Sequence, residues 1–286
     1  MYSLKVENDR GDTLELTGNP SYKVFKIEGL NPPPVTINSS ANTTTDGSSI
    51  NSVRLESRNI VIYMTVEGTA ERSVEDNRIS LYKYFPVKKT VKLYFSHGSR
   101  NVYIEGAVEL IECDPFSNKQ VAQISLICPK PYFKDVENLI SSFGDVTSLF
   151  EFPFSIAKTG VEVSAITTNQ RKSIINIGDV ATGVIIKLFS IGTVVNPVIY
   201  DVFKRTKIGL NFTMAANDTI VINTNTGEKS ITLIRDGVSY NALGYMAHDS
   251  AWFTLESGDN VFTYDADAGN SNLQLTFTTA VLYSGV

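Results

Sequence analysis

The residue types that most often carry chemistry are scarce in this chain. It has two histidines, His97 and His248, which lie far apart in the sequence and have no cysteine or paired carboxylates near them at metal-ligand spacing. Neither a glycine-rich phosphate-binding loop nor the Gly-x-Ser-x-Gly motif of a nucleophilic serine occurs. We therefore predict no catalytic residue, no metal ligand and no cofactor, and we expect that the chain is not an enzyme.

Two groups of carboxylates could still suggest a site. Glu105, Glu109 and Glu112 could supply the acid pair of a glycosidase, but they follow one strand whose outer face must be polar, which favours a solvated surface. Residues 265–269 read Asp-Ala-Asp-Ala-Gly and are similar to part of a calcium loop. That segment lacks the glycine at the sixth loop position and the terminal glutamate, so a turn between two strands explains it better.

The single tryptophan, Trp252, could stack on a sugar ring. Its neighbours Ala251, Phe253 and Leu255 are apolar, and either face of this strand could be the buried one. Because a large aromatic ring contributes most to stability when it is buried, the pattern favours a core position over sugar binding.

Length and composition limit the classes of protein to which these residues can belong. The 286 residues suggest two domains, and 42% hydrophobic with 19% charged residues are ordinary for globular cores. The net charge of −5 gives no basic stripe, so we expect no nucleic-acid partner. Residues 1–10 become charged at once, unlike a signal peptide, and Lys187 interrupts the longest apolar stretch, 184–195. We therefore expect no membrane span, and folding in a cytoplasm.

Alternation of apolar and polar residues predicts a strand-rich fold throughout. The predicted strands of the first half are two or three within residues 1–30, followed by 59–68, 90–95, 102–113 and 119–128. Short strands and turns recur from the Phe-Pro-Phe segment at 152–154 onward, as in a β-sandwich or jelly roll. Residues 38–51 are almost all Ser, Thr, Asn or Gly and predict a long exposed loop. It is either a disordered surface loop or a loop that becomes ordered on a neighbouring subunit.

The two cysteines lie on the strands predicted at 102–113 and 119–128. Only a register that pairs even with even positions joins their apolar faces, for example Leu110 opposite Ile124. Cys128 then lies opposite Gly106, and Cys113 points to the other face. The sulfur atoms would be roughly 20 Å apart along the hairpin, too far for a disulfide. We predict two buried free thiols.

Residues 74–85 carry the one clear helix pattern, with Ser73 and Asp76 at capping-box spacing and Pro86 behind it. Arg78 falls in the middle of the apolar stripe. Its stem either covers the core while the head reaches solvent, or it is a paired arginine in a subunit contact. The predicted apolar stripe of this helix consists of Val74, Leu81, Tyr82 and Phe85.

Residues 136–150 predict a short helix or a linker.

An ordered set of short segments runs through nearly the whole chain. In the first half these are Tyr2-x-Leu4, Asn8-x-x-Gly11, 27–30, Asp46-Gly47, 58–60, 77–82, 106–109 and 128–133. In the second half they are 176–179, Asn196-Pro197, 216–231, 250–264 and 273–286. No single segment is specific, but the ordered set resembles the distal tail protein family of long-tailed bacteriophages and phage-like particles, tailocins included.

The resemblance implies a mainly β protein with two domains. Residues 1–133 would form a β-rich belt domain with one helix that closes into a hexameric ring, and residues 134–286 a galectin-like β-sandwich outside that ring. The implied function is a structural hub of a phage tail tip or baseplate, located in the virion or particle and assembled in the cytoplasm of the bacterial host. The family carries no catalytic residues onto this sequence.

The implied partners are further copies in a homo-hexamer, the tail tube protein and a tail-associated hub or tip protein, with docking of a receptor-binding protein left open. The candidate inter-subunit contacts are Arg78, Tyr82, Asn42 and Asp46. A carbohydrate-binding module that contacts a cell surface is the alternative function, and a hydrolase of a wall polymer is the third.

Overall fold

The computed structural model describes residues 2–42, 46–117, 120–143, 146–148, 164–166 and 171–286. The chain folds into two units. Unit 1 comprises Met1–Val136 together with Leu282–Val286, and unit 2 comprises Glu137–Val281. Strands dominate both, which confirms the mainly β fold. Within the described residues, no helix has the length and apolar content that crossing a membrane requires.

Unit 1 is built around antiparallel strands and the α-helix α1. Its elements are β1 Ser3–Glu7, β2 Thr13–Glu15, β3 Tyr22–Glu28, β4 Val35–Ala41, β5 Ser48–Leu55, β6 Arg58–Val66, α1 Val74–Tyr84, β7 Thr90–His97, β8 Arg100–Cys113, β9 Val121–Cys128 and β10 Phe133–Phe143, the last of which continues into unit 2.

The main sheet of unit 1 has the strand order β2-β1-β7-β8-β9-β6-β3, and β10 joins β8 at Lys134 and Asp135. Alternation sets its core, since every second side chain of β1, β6, β7 and β9 points inward. A sharp turn joins β1 to β2. Asn8 accepts bonds from the amides of Arg10 and Asp12 through its side-chain oxygen, and Gly11 takes a φ of 82° that suits glycine.

The predicted pairing of β8 with β9 is correct near Gly106 and wrong further along. Val108 lies opposite Leu126, but Leu110 lies opposite Ser125 rather than Ile124. A β-bulge between Val108 and Leu110 adds one residue to β8 and turns the following side chains to the other face. Leu110 is therefore exposed, contrary to the prediction.

The segment 136–150 was predicted as a helix or linker, and its described part is strand. β10 extends to Phe143, and a further strand begins at Val146. β10 is a neighbour of both β8 and β23 in the sheet, and this pairing outweighs the weak local helix preference of the segment. The Phe-Pro-Phe segment at 152–154 lies outside the described residues.

Arg58 holds the last residues of the sequence in unit 1. Its side chain is almost completely buried, and its guanidinium lies 4.5 Å from the centre of the Phe133 ring. Burial lowers the pKa of this group. Its four hydrogen bonds go to the backbone carbonyls of Pro131 at 2.7 Å, Gly29 at 2.5 Å, Asn31 at 2.6 Å and Ser284 at 2.6 Å.

Unit 2 consists of short strands and two 3₁₀ turns in its described part. Its further elements are β11 Val146–Ser148, β12 Ser164–Ile166, β13 Arg171–Asn176, β14 Ile185–Ser190, β15 Val194–Val195, β16 Val198–Asp201, β17 Thr206–Gly209, β18 Thr213–Met214, β19 Thr219–Asn223, β20 Ser230–Arg235, β21 Val238–Asn241, the 3₁₀ turns Leu243–Tyr245 and Asn270–Asn272, β22 Gly258–Asp265 and β23 Leu273–Tyr283.

Two sheets face each other in unit 2, with the orders β23-β14-β19-β20-β21 and β13-β22-β16-β17. Their inner faces share one apolar core, in which the rings of Phe262 and Phe277 lie 5.1 Å apart. An ion pair between a buried carboxylate and a partly exposed guanidinium closes one end of β20, where Arg235 donates to both carboxylate oxygens of Asp218 at 2.8 and 2.5 Å. These bonds lower the pKa of Asp218. The unit is thus a β-sandwich.

Candidate subunit interface

The predicted loop at 38–51 is a β-hairpin formed by β4 and β5, so the prediction of a loop is wrong. All side chains of β4 are exposed, as are all those of β5 except Leu55. The polar composition hid the strands, because Ser and Asn disfavour a core without preventing two strands from pairing. The β-branched residues Thr36, Ile37 and Val53 lie at the paired positions of the hairpin.

A β-bulge gives this hairpin one apolar face. Val35 lies opposite Leu55, and Ile37 lies opposite Val53. The register then shifts, and Ser39 lies opposite Ile50. Because opposed residues share a face and the bulge absorbs one residue, Ile50 joins the side that carries Ile37 and Val53. Val35, Ile37, Ile50 and Val53 are between 46% and 65% exposed, which is unusual for aliphatic side chains gathered on one surface.

The opposite face of the hairpin is polar and satisfied within the hairpin. The Asn38 amide donates to the Ser52 hydroxyl at 2.9 Å. At the base, the Thr36 hydroxyl donates to the Glu56 carboxylate, which Arg54 approaches at 3.6 Å. The hydrogen bond from Thr36, followed by the charge of Arg54, lowers the pKa of Glu56. The polar side chains are therefore paired with each other within the hairpin, whereas the apolar face is left exposed.

The tip of the hairpin contains two of the predicted contact residues, Asn42 and Asp46. The Asn42 amide donates to the Gly47 carbonyl at 3.3 Å, and the Ser49 hydroxyl donates to the Asn42 side chain at 3.2 Å. Gly47 has a φ of 101°, which accounts for glycine after Asp46. Asp46 is exposed and forms no ion pair with any described residue.

Helix α1 begins as predicted. The Ser73 side chain accepts a bond from the Asp76 amide at 3.1 Å, and its hydroxyl donates to the Asp76 carboxylate at 2.9 Å. Its buried face differs from the predicted stripe, because Leu81 and Phe85 are buried while Tyr82 is 45% exposed.

The polar Asn77 takes the place in the buried face that was predicted for Tyr82. The side-chain amide of Asn77 donates to the backbone carbonyl of Glu67 at 2.8 Å, and the backbone carbonyl of Asn77 accepts from the Tyr22 hydroxyl at 2.9 Å. The buried stripe is thus rotated from the predicted one, because an asparagine that is satisfied by backbone groups can lie inside.

Arg78 and Tyr82 lie next to each other on the outer part of the helix. The guanidinium of Arg78 donates to the Tyr82 hydroxyl at 3.0 Å. Its Nε is buried and has no hydrogen-bond partner in the described part of the chain, nor does Arg78 form an ion pair there. Ile79 beside them is 55% exposed. This surface, Arg78 with Ile79 and Tyr82, is called the helix face below.

Both cysteines are free thiols, as predicted. Cys128 is fully buried against Gly106, and burial raises the pKa of its thiol to about 12. Cys113 is only half-buried, which corrects the prediction of two buried thiols. Burial raises the pKa of Cys113, and the nearby charge of Arg78 opposes that rise. Cys113 therefore lies close to the helix face.

The side chains considered for chemistry are dispersed. His97 stacks on Tyr2 with ring centres 3.9 Å apart, and His248 is in unit 2. The carboxylates at 105, 109 and 112 are exposed on β8, and the Ser125 hydroxyl donates to that of Glu109 at 2.7 Å. Trp252 packs against the core of unit 2. Among the described residues, no three His, Cys, Asp or Glu side chains gather in a way that could hold a metal ion.

The structure brings together two pairs of the predicted contact residues. Arg78 meets Tyr82 on the helix, and Asn42 lies near Asp46 at the hairpin tip. The sequence analysis missed the apolar face of the hairpin, although Val35 and Ile37 alternate as in one strand and Val53 and Leu55 as in another. Only the bulge, which a sequence does not display, adds Ile50 to them.

Sequence profiles of two phage tail domains match this chain. Residues 10–128 match a phage tail protein RIFT-related domain, and residues 177–280 match the C-terminal domain of a siphovirus-type tail component. The first lies in unit 1 and the second in unit 2. Both describe structural tail proteins rather than enzymes. The chain is therefore a structural component of a phage tail.

Solved structures share its fold. One is the Dit protein of phage SPP1, described as a paradigm of the hub adsorption apparatus in phages that infect Gram-positive bacteria. Its superposition on this chain has a TM-score of 0.67 at 11% sequence identity and covers 96% of this chain and 98% of that one. A chain of the phage p2 baseplate in its activated conformation with Sr has a TM-score of 0.54 at 13% identity, covering 98% of each chain. A search of curated protein sequences finds no match. The chain belongs to the siphovirus-type distal tail protein family, which confirms the resemblance seen in the sequence.

Proposed function

We propose that this protein is the hub subunit of a phage tail tip, in which unit 1 closes into a ring of six copies. In this proposal the ring joins the tail tube protein to a tail-associated tip protein, and unit 2 is a galectin-like sandwich on the outside that is available to a receptor-binding protein. Family membership and the fold shared with the SPP1 Dit protein support the hub role. The protein acts by assembly within a virion tail that is built in the bacterial host.

The observation that carries the proposal is the amphipathic hairpin of β4 and β5. It exposes Val35, Ile37, Ile50 and Val53 on one face, and exposed aliphatic surface of this kind marks a protein contact. In this proposal each chain buries its β4–β5 hairpin against a different surface of its neighbour. Contacts between unlike patches are the ones that generate rings when the rotation closes.

Multi-angle light scattering on the concentrated full chain tests the ring directly. We expect a species of about six times the 31.4 kDa chain mass. The same ring is expected in electron micrographs of the assembled particle, where a tube template also favours closure. A particle that carries this subunit in a three-fold or helical array contradicts the proposal.

A variant pair isolates the role of the hairpin. Replacing Ile37, Ile50 and Val53 with serine removes the apolar face, and we expect the melting temperature of the monomer to stay nearly constant because these side chains are already exposed. Ring formation is expected to be lost. The matched control replaces Asn38 and Ser52, on the polar face of the same hairpin, with alanine and is expected to assemble. Normal assembly of the serine variant contradicts a docking role for the hairpin.

A further inference from the structure

The hairpin and the helix face carry opposite charges that form no ion pair in the described part of the chain. The tip carries Asp46, and the helix face carries Arg78, neither of which forms an ion pair with a described residue. The other charged residues of the hairpin base, Arg54 and Glu56, already approach each other at 3.6 Å. A carboxylate and a guanidinium left in this state are suited to pair with each other across an interface.

The guanidinium of Arg78 has no negative charge paired with it in the described part of the chain. Its Nε is covered by the chain itself, but its terminal nitrogen, which donates to Tyr82, lies at the exposed surface, where another copy can reach it. The Tyr82 hydroxyl satisfies one terminal nitrogen of the guanidinium and cannot neutralise its charge. A carboxylate that reaches the guanidinium supplies two acceptor oxygens and a negative charge at once.

The apolar surfaces also match. Ile79 and Tyr82 are about half exposed on the helix face, and Phe116, in the turn between β8 and β9, is 95% exposed. That turn is near the helix, since the Gln120 amide lies 3.5 Å both from Glu75 in the first helical turn and from the Pro115 carbonyl. The apolar side of the hairpin can cover these groups while its acidic tip meets the arginine.

We propose that the helix face of one copy receives the hairpin tip of a second copy, with Arg78 pairing with Asp46 across the contact. This inference rests on the proposed ring and names the two surfaces that meet in it. One donor hairpin and one receiving helix face per chain give a head-to-tail contact, which is the type that a cyclic ring requires.

Cross-linking to the native Cys113 tests the contact. Cys113 is half-buried and lies near Arg78, whereas Cys128 is fully buried with a pKa raised to about 12 and does not compete. We expect Asp46→Cys in the concentrated full chain to give a ladder of disulfide-linked oligomers on oxidation near pH 8.5. The ladder should vanish when Cys113→Ser is added.

A second cysteine variant controls for non-specific oxidation. Arg54→Cys is also at an exposed position but lies at the hairpin base, roughly 20 Å from the tip at ~3.3 Å per residue. We expect it to give less than a tenth of the ladder formed by Asp46→Cys. Equal ladders from both variants overturn this contact and leave the proposed ring intact. The same conclusion follows if Asp46→Cys gives no ladder in a solution where light scattering shows the oligomer. A chain that gives no ladder and no oligomer up to millimolar concentration contradicts both proposals.

Charge reversal gives an independent readout. We expect Asp46→Arg and Arg78→Asp each to weaken association by about tenfold or more, since like charges then face each other. The double variant is expected to regain most of that loss. Failure of the double variant to regain association, with circular dichroism melts showing folded protein, contradicts the pairing.

Discussion

Replacing Arg58 with methionine is expected to destabilise unit 1 strongly. The variant keeps a long apolar side chain over Phe133 but leaves four backbone carbonyls without their donor. Each buried acceptor left unpaired costs about 1–3 kcal/mol. Methionine also removes the cost of burying a guanidinium that forms no ion pair with any described carboxylate, which offsets part of the loss. We therefore expect a net loss of about 3–5 kcal/mol.

The two units can be followed separately in this experiment. The single tryptophan, Trp252, lies in unit 2, so its fluorescence reports unit 2, while far-ultraviolet circular dichroism reports both units. In urea titrations of Arg58→Met, we expect the dichroism midpoint to fall and the fluorescence midpoint to stay in place. The matched control is Arg54→Met, which removes the same charge from a side chain that is 78% exposed and is expected to change stability by less than about 0.5 kcal/mol.

Truncation after Tyr283 provides the second side of a double-mutant cycle. It deletes the Ser284 carbonyl that accepts from Arg58, the Gly285 carbonyl that accepts from Arg100 at 2.6 Å, and the Val286 amide that donates to Leu30 at 3.2 Å. We expect truncation and Arg58→Met together to cost less than the sum of their separate effects, by about 1 kcal/mol or more. A loss below about 1 kcal/mol for Arg58→Met, or strict additivity, refutes the claim that this arginine fastens the end of the sequence.

Three further changes test unit 2 and one tight turn. Because bonds from Arg235 lower the pKa of Asp218, their contribution to stability is complete above the ordinary carboxylate pKa near 3.8 and is lost as pH falls through the pKa of the folded state. We expect Asp218→Asn to lose this acid sensitivity in unfolding followed by fluorescence. An unchanged pH dependence of stability in the variant contradicts this expectation. Trp252→Ala is expected to cost about 3 kcal/mol without changing binding on a glycan array, since the ring packs against the core; saturable sugar binding that a stable variant loses supports the carbohydrate-binding alternative. Gly29→Ala is expected to cost at least about 2 kcal/mol in a thermal melt. Gly29 has a φ of 85°, and a Cβ there would lie 2.0 Å from the Asn59 carbonyl oxygen. A neutral effect contradicts that geometry.

The elements that the sequence predicts well are those fixed by local patterns. Alternation identifies the buried side of β9, in which Ala122, Ile124, Leu126 and Cys128 are all buried. The cap at Ser73 identifies where α1 begins. These features depend on neighbours within a few residues, which a sequence displays directly.

The features that the sequence hides depend on register or on distant partners. The bulge in β8 exposes Leu110, and the bulge in β5 adds Ile50 to the apolar face of the hairpin. Each moves a side chain to the opposite face without changing residue types. Arg58 gives no local signal either, because its acceptors lie 27 to 226 residues away and are backbone carbonyls that every residue carries.

The return of residues 282–286 to unit 1 has a consequence for the synthesis of the chain. These residues leave the ribosome only after the 145 residues of 137–281 have been made. At roughly 5–20 residues per second, this delays them by about 7–30 s after the rest of unit 1 has emerged. A nascent chain that stops anywhere within unit 2 lacks the carbonyl that completes the bonds of Arg58. Unit 1 therefore reaches its full stability only in chains translated past unit 2.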